Sequence, residues 1–488
     1  MVESKPNQAK LDKLSKLKEK GVNPYPNMYC PNAFSGDLQK RYADLGPDEE
    51  RDDDIIVAGR VMAIRNSGMF IDLYDRDGKI QIYTHESSTK DPEAFELLKF
   101  IDVGDIIGVE GGIKKTKRGE LSILTKRITI LAKSLELLPE KYHGLTDVEA
   151  RYRQRYVDLI MNQDSKEALE KRSRIVAAVR EFLNDKNFLE VETPMLHSIM
   201  GGANAKPFIT HYNSLHSDFF LRVSPELFLK RLIVGGFDRV YEINRNFRNE
   251  GIDTKHVPEF TMLELYQSYA DYNDIMKLVE DMFEFVAMKV NGTTVANWRG
   301  HEINLKGPYA RKTMVELANE ALGIDLMKMN DAEAMKVAKE KGIKLKGSET
   351  WGEVVEAVFD QRVEGNIVQP LFVLDHPKDI SPLTKTHREN PRLVERFELF
   401  INQTELGNAY TELTDPLDQK ARFEDQVAKK EKGDDEAQMM DTDFVCALGY
   451  GMPPTGGLGV GIDRLVMLLT GANAIRDVIL FPALKDKN

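Results

Sequence analysis

Three segments concentrate side chains able to bind and activate charged substrates. Tyr241–Tyr266 reads YEINRNFRNEGIDTKHVPEFTMLELY, two apolar-alternating runs around a polar loop with Gly251 and Pro258, the pattern of a long antiparallel hairpin. Arg248 and Glu250 fall where the first run meets the loop, two residues apart and so on one face. A guanidinium offers paired donors in a rigid plane, matched to phosphate or carboxylate; a structural ion pair is the competing explanation. Gly456–Leu469, GGLGVGIDRLVMLL, has glycines that permit close backbone approach, then an apolar run suited to a buried helix. Arg464, at the strand-to-helix junction, is placed to meet an anion beside a helix N-terminus. The third segment, RFELFINQTELGNAYTEL, carries Glu398 and Glu405 seven residues apart, then Asn408 and Glu412. Carboxylates in apolar strands are expensive unless paired or metal-bound. Mg²⁺ takes one or two carboxylates plus phosphate oxygens; ordinary salt bridges explain the pattern equally well.

No GxxxxGK(S/T) phosphate loop and no HExxH metal helix occurs, so a nucleotide site here is built another way. The partial GxGxxG within Gly456–Gly461 lacks the preceding βαβ pattern of a dinucleotide fingerprint. A chain of 488 residues exceeds what one core organises, so several domains are expected. From Asp54 to about Lys133 the runs IIVAGRVMAI, MFIDLYD, KIQIYTH, DIIGVEGGIKK and ELSILTKRITIL alternate, with hairpin turns at Asp77–Gly78 and KTKRGE. Five short strands in this span suggest a small closed barrel, for which the OB-fold is the five-stranded candidate. Before it, Leu11, Leu14 and Leu17 stand at helical spacing among lysines; a helix resting on its own domain is favoured, and Asn23, Pro24 and Pro26 end it. The expected division is a helical extension over 1–53, the barrel over 54–135, a linker over 136–150 and a mixed α+β domain over 151–488. Residues of about 300–370 read as an inserted, solvated helical subdomain, and EDQVAKKEKGDDEAQ near 430 as an exposed helix with its C-terminal turn.

Composition narrows the class without naming a function. Apolar residues make up 42% and charged residues 30%, no run is long and apolar enough to span a membrane, and the N-terminus MVESKPNQAK has no secretory pattern. Cys30 and Cys446 are the only cysteines, which argues against a disulfide framework or a cysteine zinc site and fits a reducing cytoplasm. A balance of 67 basic to 79 acidic residues, net −12, argues against coating nucleic acid indiscriminately but permits a locally basic site.

FLEVETPML (Phe188–Leu196), FRNEG with PEF, and GLGVGIDR together resemble motifs 1, 2 and 3 of the class II aminoacyl-tRNA synthetases. KYHGLTDVEARYRQRYVDL and RVSPELFLKRLIVGGFDRVYEINRNFRNEG resemble the lysyl-tRNA synthetase family in particular, and the likeness covers nearly the whole chain. It implies an α+β multidomain fold: an N-terminal five-stranded OB-fold barrel that reads the anticodon, and a catalytic domain with a six-stranded antiparallel sheet flanked by helices. It also implies a ligase that joins lysine to tRNA(Lys) with ATP and Mg²⁺, working as a cytoplasmic homodimer with Pro194 at the two-fold interface. Carried over by position, Arg248 would bind the α-phosphate and the lysine carboxylate. Glu250 and His256 would contact ATP, Phe260 would stack on adenine, and Arg464 would hold the far phosphates. Glu398 and Glu405 would hold Mg²⁺. Gly202 and Glu226 would receive the α-amine, Asn408 the carboxylate, and Glu264, Glu412 and Tyr266 the ε-ammonium. In the barrel, Phe70 and Gln81 match anticodon-reading positions, and Arg65 matches through RNSGMF, a loop shorter than the common bacterial pattern.

Two other readings compete. A class II paralogue with a different acceptor would lack the barrel, and a regulator with a decayed synthetase domain would have lost the Arg/Glu set. An aspartate-specific enzyme would set a carboxylate against Glu264 and Glu412. For those two glutamates the residue pattern alone leaves pairing with protein arginines open.

Overall fold

The computed structural model describes residues 6–86, 89, 92–139, 145–347, 349–433 and 436–485. The KYHG start of one family-like stretch, part of the expected linker and the Asp434–Asp435 pair lie outside the described residues. Contacts divide the chain into two units, Met1–Gly144 and Leu145–Asn488.

In the first unit, five strands close into a barrel in the order β1-β2-β3-β5-β4: β1 (Glu50–Arg65), β2 (Phe70–Tyr74), β3 (Lys79–Tyr83), β4 (Ile106–Lys115) and β5 (Leu121–Ala132). Alternation decides which side chains face in. Ile71 and Leu73, Ile80 and Ile82, Val109 and Ile123 fill the interior with essentially no exposure. β1 is long enough to pair with both β2 and β4, and it bends at register shifts near Val61 and Arg51. Parallel pairing of β3 with β5, Gln81 opposite Ser122, closes the barrel. Helix α1 (Gln8–Glu19) buries Leu17 on this body. Its basic side is spent on the same body: Lys10 donates to the Val103 and Glu136 carbonyls, each at 3.0 Å, and Lys13 pairs with Asp102 at 2.5 Å.

The second unit is built on one sheet of eight strands, taken here in chain order. These are β6 (Leu189–Glu190), β7 (Arg239–Phe247), β8 (Glu259–Ser268), β9 (Ala310–Thr313), β10 (Leu371–Leu374), β11 (Arg396–Phe400), β12 (Glu405–Thr411) and β13 (Thr455–Gly461). Their spatial order is β9-β10-β11-β12-β13-β8-β7-β6. The six central strands are antiparallel, as the family resemblance implied, but the sheet carries an extra parallel strand at each edge, β9 and β6. One face is covered by helices α2 (Gln163–Asp185), α4 (Tyr272–Asn291) and α6 (Ile462–Thr470). Ile175, Val179, Phe283, Leu263, Leu265, Leu458, Val460 and Leu465 form the core between them. The alternate residues of β8 and β13 therefore point to the opposite face, where the cavity lies. Helix α3 (Glu226–Val234) packs against β7 and β8.

The 300–370 region differs from a merely solvated insertion. It supplies edge strand β9, and helix α5 (Trp351–Arg362) helps bury a second core of Met314, Ala318, Leu326, Trp351, Val358 and Phe359. LEVET is strand only over Leu189–Glu190, and Pro194 is exposed beyond it.

Asp463 anchors the start of α6. Its carboxylate accepts the Thr261 N–H of β8 at 2.7 Å and pairs with Arg172 of α2 at 2.5 Å, all but out of solvent. The first turn of α6 is thereby fixed to two other elements one residue before Arg464. Asp463→Ala leaves the guanidinium of Arg172 without its counter-charge and should lower stability by about 3 kcal/mol or more, read as an earlier midpoint in chemical denaturation. A midpoint at the parental value would show that the pair does not hold the helix.

Candidate active site and barrel surface

Residues from five adjacent strands meet in one row across the open face of the sheet. The register aligns Glu398, Asn408, Gly459, Glu264 and Glu242 on β11, β12, β13, β8 and β7. One step along the strands lies a parallel row of Arg396, Tyr410, Gly457 and Tyr266. The middle of the floor thus belongs to Gly459 and Gly461, which have no side chain to fill the space, while Gly457, next in the same alternation, is covered by Glu412 and Tyr266. A Cβ on Gly457 would stand 2.0 Å from Glu412 Oε1 and 2.6 Å from the Tyr266 ring. Above this stripe opens a cavity of about 470 Å³. Gly202, Glu226, Arg248, Glu250, His256, Phe260, Glu264, Tyr266, Glu398, Glu405, Asn408 and Arg464 all line it. Glu412 does not; it is completely buried below the lining.

One part of the cavity is cationic. Arg248 follows the end of β7, its main chain donating to the Pro258 carbonyl at 2.9 Å and its guanidinium 5.1 Å from the Phe260 ring centre. No ion pair joins Arg248 to Glu250 among the described residues, and the Arg248 Nε is buried without a partner. Arg464 donates to the Glu405 carbonyl at 2.7 Å, stands 3.4 Å from the Glu405 carboxylate and reaches His256 at 3.4 Å. His256 is held from its other side by Asp253 at 2.9 Å. Glu398 is tied to Arg396 at 2.6 Å, and the same guanidinium donates to Asn408 at 3.1 Å and Ser381 at 3.0 Å. Arg396 was missed in the sequence, although it stands two residues before Glu398 and so on the same strand face. Glu356 of α5 also lines the cavity; burial pushes its carboxyl up to about 7 although Arg396 opposes the shift.

Glu398 and Glu405 present hard oxygen donors to the same space. Among the described residues no group of three His, Cys, Asp or Glu side chains is set to enclose a metal ion. A divalent cation here would complete its shell from phosphate and water, which is how Mg²⁺ usually binds beside nucleotides.

The deep end is anionic. Glu264 accepts the Ser224 hydroxyl on both oxygens, at 3.0 and 3.1 Å, and has no ion-pair partner among the described residues. Burial pushes its carboxyl up to about 8; Glu226 and Glu242 add to the shift, while Ser224 and Arg248 oppose it. Glu226, first residue of α3, is paired with Lys230 one turn on at 2.6 Å, and Lys230 also pairs with Glu412. Neither residue pattern nor resemblance had marked Lys230, yet the i, i+4 spacing from Glu226 on a helix was readable. The partner of Glu412 is therefore a buried lysine and not an arginine. Gly202 adopts φ +91° beside Ser224 and Glu226, where a side chain would be both strained and crowded.

On the barrel, Arg65, Phe70 and Gln81 share the outer face of β1, β2 and β3. Half-buried Phe70 stacks on Tyr83 with ring centres 5.1 Å apart, and Tyr83 stacks on His85 at 5.9 Å. Phe70 is thus not a core aromatic, and two further members of the aromatic row went unread. Gln81 is only 8% exposed and its carbonyl accepts the Ser122 hydroxyl at 2.9 Å. Arg65 forms a two-pronged pair with Asp72, at 2.7 and 2.9 Å. The short loop after it turns through Asn66 and Ser67, both with positive φ.

Residues 147–485 match the family model described as tRNA synthetases class II (D, K and N), and residues 55–131 match the OB-fold nucleic acid binding domain. The lysine–tRNA ligase of Carboxydothermus hydrogenoformans is 51% identical over 99% of this chain and 98% of that protein. Those of Sinorhizobium medicae and Oceanobacillus iheyensis are each 49% identical, over 99% and 98% of this chain and 97% and 98% of those proteins.

The glycine stripe is directly testable. Gly457→Ala drives a methyl group into Glu412 and Tyr266 and should cost at least about 2 kcal/mol of stability, with a collapse of any cavity-dependent activity. Gly449→Ala, with open space around it, should be neutral. Equal melting temperatures for both variants and the parent would refute the packing assigned to Gly457.

Proposed function

We infer the reaction from a plain premise: the chain belongs to the class II tRNA synthetases. The reaction we propose is that named for its relatives, lysine–tRNA ligation: lysine is activated with ATP and then esterified to the 3′ end of tRNA(Lys). The observation that carries this choice is Glu264, a buried carboxylate lining the cavity with a hydroxyl but, among the described residues, no ion-pair partner. An amino acid with a second ammonium group supplies that cation; a neutral side chain leaves the carboxylate unpaired and an acidic one repels it. That argues against the aspartate and asparagine branches of the same family.

In the first step a lysine carboxylate oxygen attacks the α-phosphorus of ATP. The P–O bond to the β-phosphate breaks and pyrophosphate leaves. The nucleophile is already ionised, so the protein supplies positioning and charge and no base. Arg248 would grip the α-phosphate and the lysine carboxylate, Phe260 would stack on adenine, and Glu250 and His256 would contact the nucleotide. Arg464 would hold the outer phosphates. Glu398 and Glu405 would hold Mg²⁺, which when bound offsets phosphate charge. Asn408 would orient the lysine carboxylate, Gly202 and Glu226 the α-amine, and Glu264 with Tyr266 the ε-ammonium. Glu412, below the lining and engaged by Lys230, acts on the substrate through that network. In the second step a terminal ribose hydroxyl of tRNA attacks the lysyl carbonyl, an ester forms, AMP leaves and the hydroxyl proton is released.

The barrel face supports anticodon binding through the Phe70–Tyr83–His85 row, since stacked rings accept unpaired bases. Gln81 and Arg65 would contribute after exchanging their partners Ser122 and Asp72. Exposed Met195 and Leu196 beside Pro194, with exposed Ile209 and Tyr212 on another strand of the same small sheet, offer an apolar surface for a second copy, so a homodimer is expected. Sedimentation as a stable, active monomer at micromolar concentration would overturn the dimer. Both cysteines are free and exposed, which fits the cytoplasm, and no helix among the described residues is long and apolar enough to cross a membrane.

Pyrophosphate exchange with each amino acid in turn should respond to lysine alone, and response to aspartate or asparagine instead would overturn the assignment. Phe70→Ala should weaken charging of tRNA(Lys) by about 1–3 kcal/mol per lost stack while exchange stays near the parental rate; equal losses would mean Phe70 is structural. The acidity of Glu264 adds a pH test. Its folded form keeps a proton from its ordinary 4.5 up to about 8, whereas the unfolded chain has released it. This group therefore adds stability that declines as pH rises through that window. Binding an ammonium expels the proton, so the KM for lysine should fall as pH rises toward about 8 and then level, by at most about tenfold per pH unit. Glu264→Gln should raise that KM by about tenfold or more and flatten the profile; a profile unchanged in the variant would remove Glu264 from the pocket.

A further inference from the structure

Lys230 is wholly buried, does not line the cavity, and bridges two carboxylates carried by different elements, Glu226 at the start of α3 and Glu412 just past β12. Burial alone would strip its proton, but the two carboxylates outweigh that and hold it firmly as an ammonium. Burial likewise pushes both carboxyls up against the pull of the single lysine. Apart from the Arg222–Glu242 pair, the deep end therefore holds three buried carboxylates, Glu226, Glu264 and Glu412, and among the described residues one cation, Lys230, that pairs with any of them. That cation is committed to two of them. Glu264, on β8, is the one left without an ion-pair partner among the described residues, and it lines the cavity.

We propose that Lys230 is a specificity-determining, positioning residue: a built-in counter-cation that satisfies Glu226 and Glu412 and so reserves Glu264 for the side-chain ammonium of the amino acid. The proposal rests on the lysine reading given above. Without Lys230, Glu412 has no cation and Glu226 loses its anchor. The substrate's α-ammonium is then drawn toward competing carboxylates, and the side-chain ammonium no longer has one defined seat. Lys230 touches neither ATP nor the reacting atoms, so its effect should fall on amino-acid binding.

The test is a two-by-two set on the full-length protein: parent, Lys230→Met, Glu412→Gln and the double variant, each with KM for lysine and for ATP from pyrophosphate exchange and a thermal melt. Lys230→Met should raise the lysine KM by about 30-fold or more, as for a buried ion left unpaired, with the ATP KM within about twofold because the ATP-side residues named above are untouched. In the Glu412→Gln background, where one of the two anions is already gone, the same change should cost less than about threefold. The double variant also keeps the test decisive if Lys230→Met alone does not fold, since removing one cation and one anion together keeps the parental charge balance and leaves Glu226 alone without its partner. Equal penalties in the two backgrounds, a matching rise in the ATP KM, or no penalty at all would overturn the proposal. A parent protein that does not activate lysine would overturn the lysine reading itself, and this inference with it.

Discussion

A carboxylate taken out of water must meet a cation, collect hydrogen bonds or take up a proton, and this requirement orders the cavity from end to end. At the deep end the demand is met in three ways at once. Glu226 and Glu412 share one lysine, Glu264 has only the Ser224 hydroxyl, and Glu242 is tied to Arg222 at 2.8 Å. Toward Arg248 and Arg464 the balance reverses, with guanidinium groups whose planar donors suit phosphate. A small zwitterion carrying a second positive charge, laid against a polyphosphate, is the ligand pair that satisfies both ends together.

That arrangement depends on a backbone device. Side chains on neighbouring strands crowd each other at about 5 Å, and a floor of ordinary residues would leave no room for a substrate. Gly459 and Gly461 clear a groove down the strand that lies between the carboxylates of β8 and those of β11 and β12, and Gly457 makes room on the same face for Glu412 and Tyr266. Leu458 and Val460, the residues between, anchor the same strand in the core. One short segment is thus bare on one face and greasy on the other, and Asp463 and Arg464 follow at once where the strand gives way to α6.

Much of this was legible in the sequence because it is local. Strand alternation with Asp77–Gly78 and KTKRGE marked the barrel, and the FRNEG and GLGVGIDR segments marked Arg248 and Arg464, each at its turn. What escaped depends on residues distant in the chain. The pairing of Lys230 with Glu412 exists only once α3 has packed on β7 and β8. The Arg396 guanidinium that holds Glu398 and Asn408 requires the register of β11 on β12. The edge strands were silent for a different reason: β6 is two residues long, and β9, with sequence ARKT, has no apolar alternation to announce it. Gln81 shows the converse limit. The resemblance marked it as a base-reading position, but only the neighbouring β5 revealed that Ser122 already occupies its carbonyl.

The position of β13 also has a consequence for how the protein is made. This strand lies inside the sheet, between β8 and β12, yet it comes from residues 455–461 of 488. A ribosome working from the N-terminus delivers the entire barrel early, and its five strands can close while the rest of the chain is still being synthesised. The catalytic sheet has no such freedom. Until residues 455–461 emerge, β8 and β12 are two open edges with unpaired main-chain groups. The centre of the catalytic floor is the last strand of this sheet in chain order, so a translation product broken off before it would carry a finished barrel and an unclosed, aggregation-prone sheet.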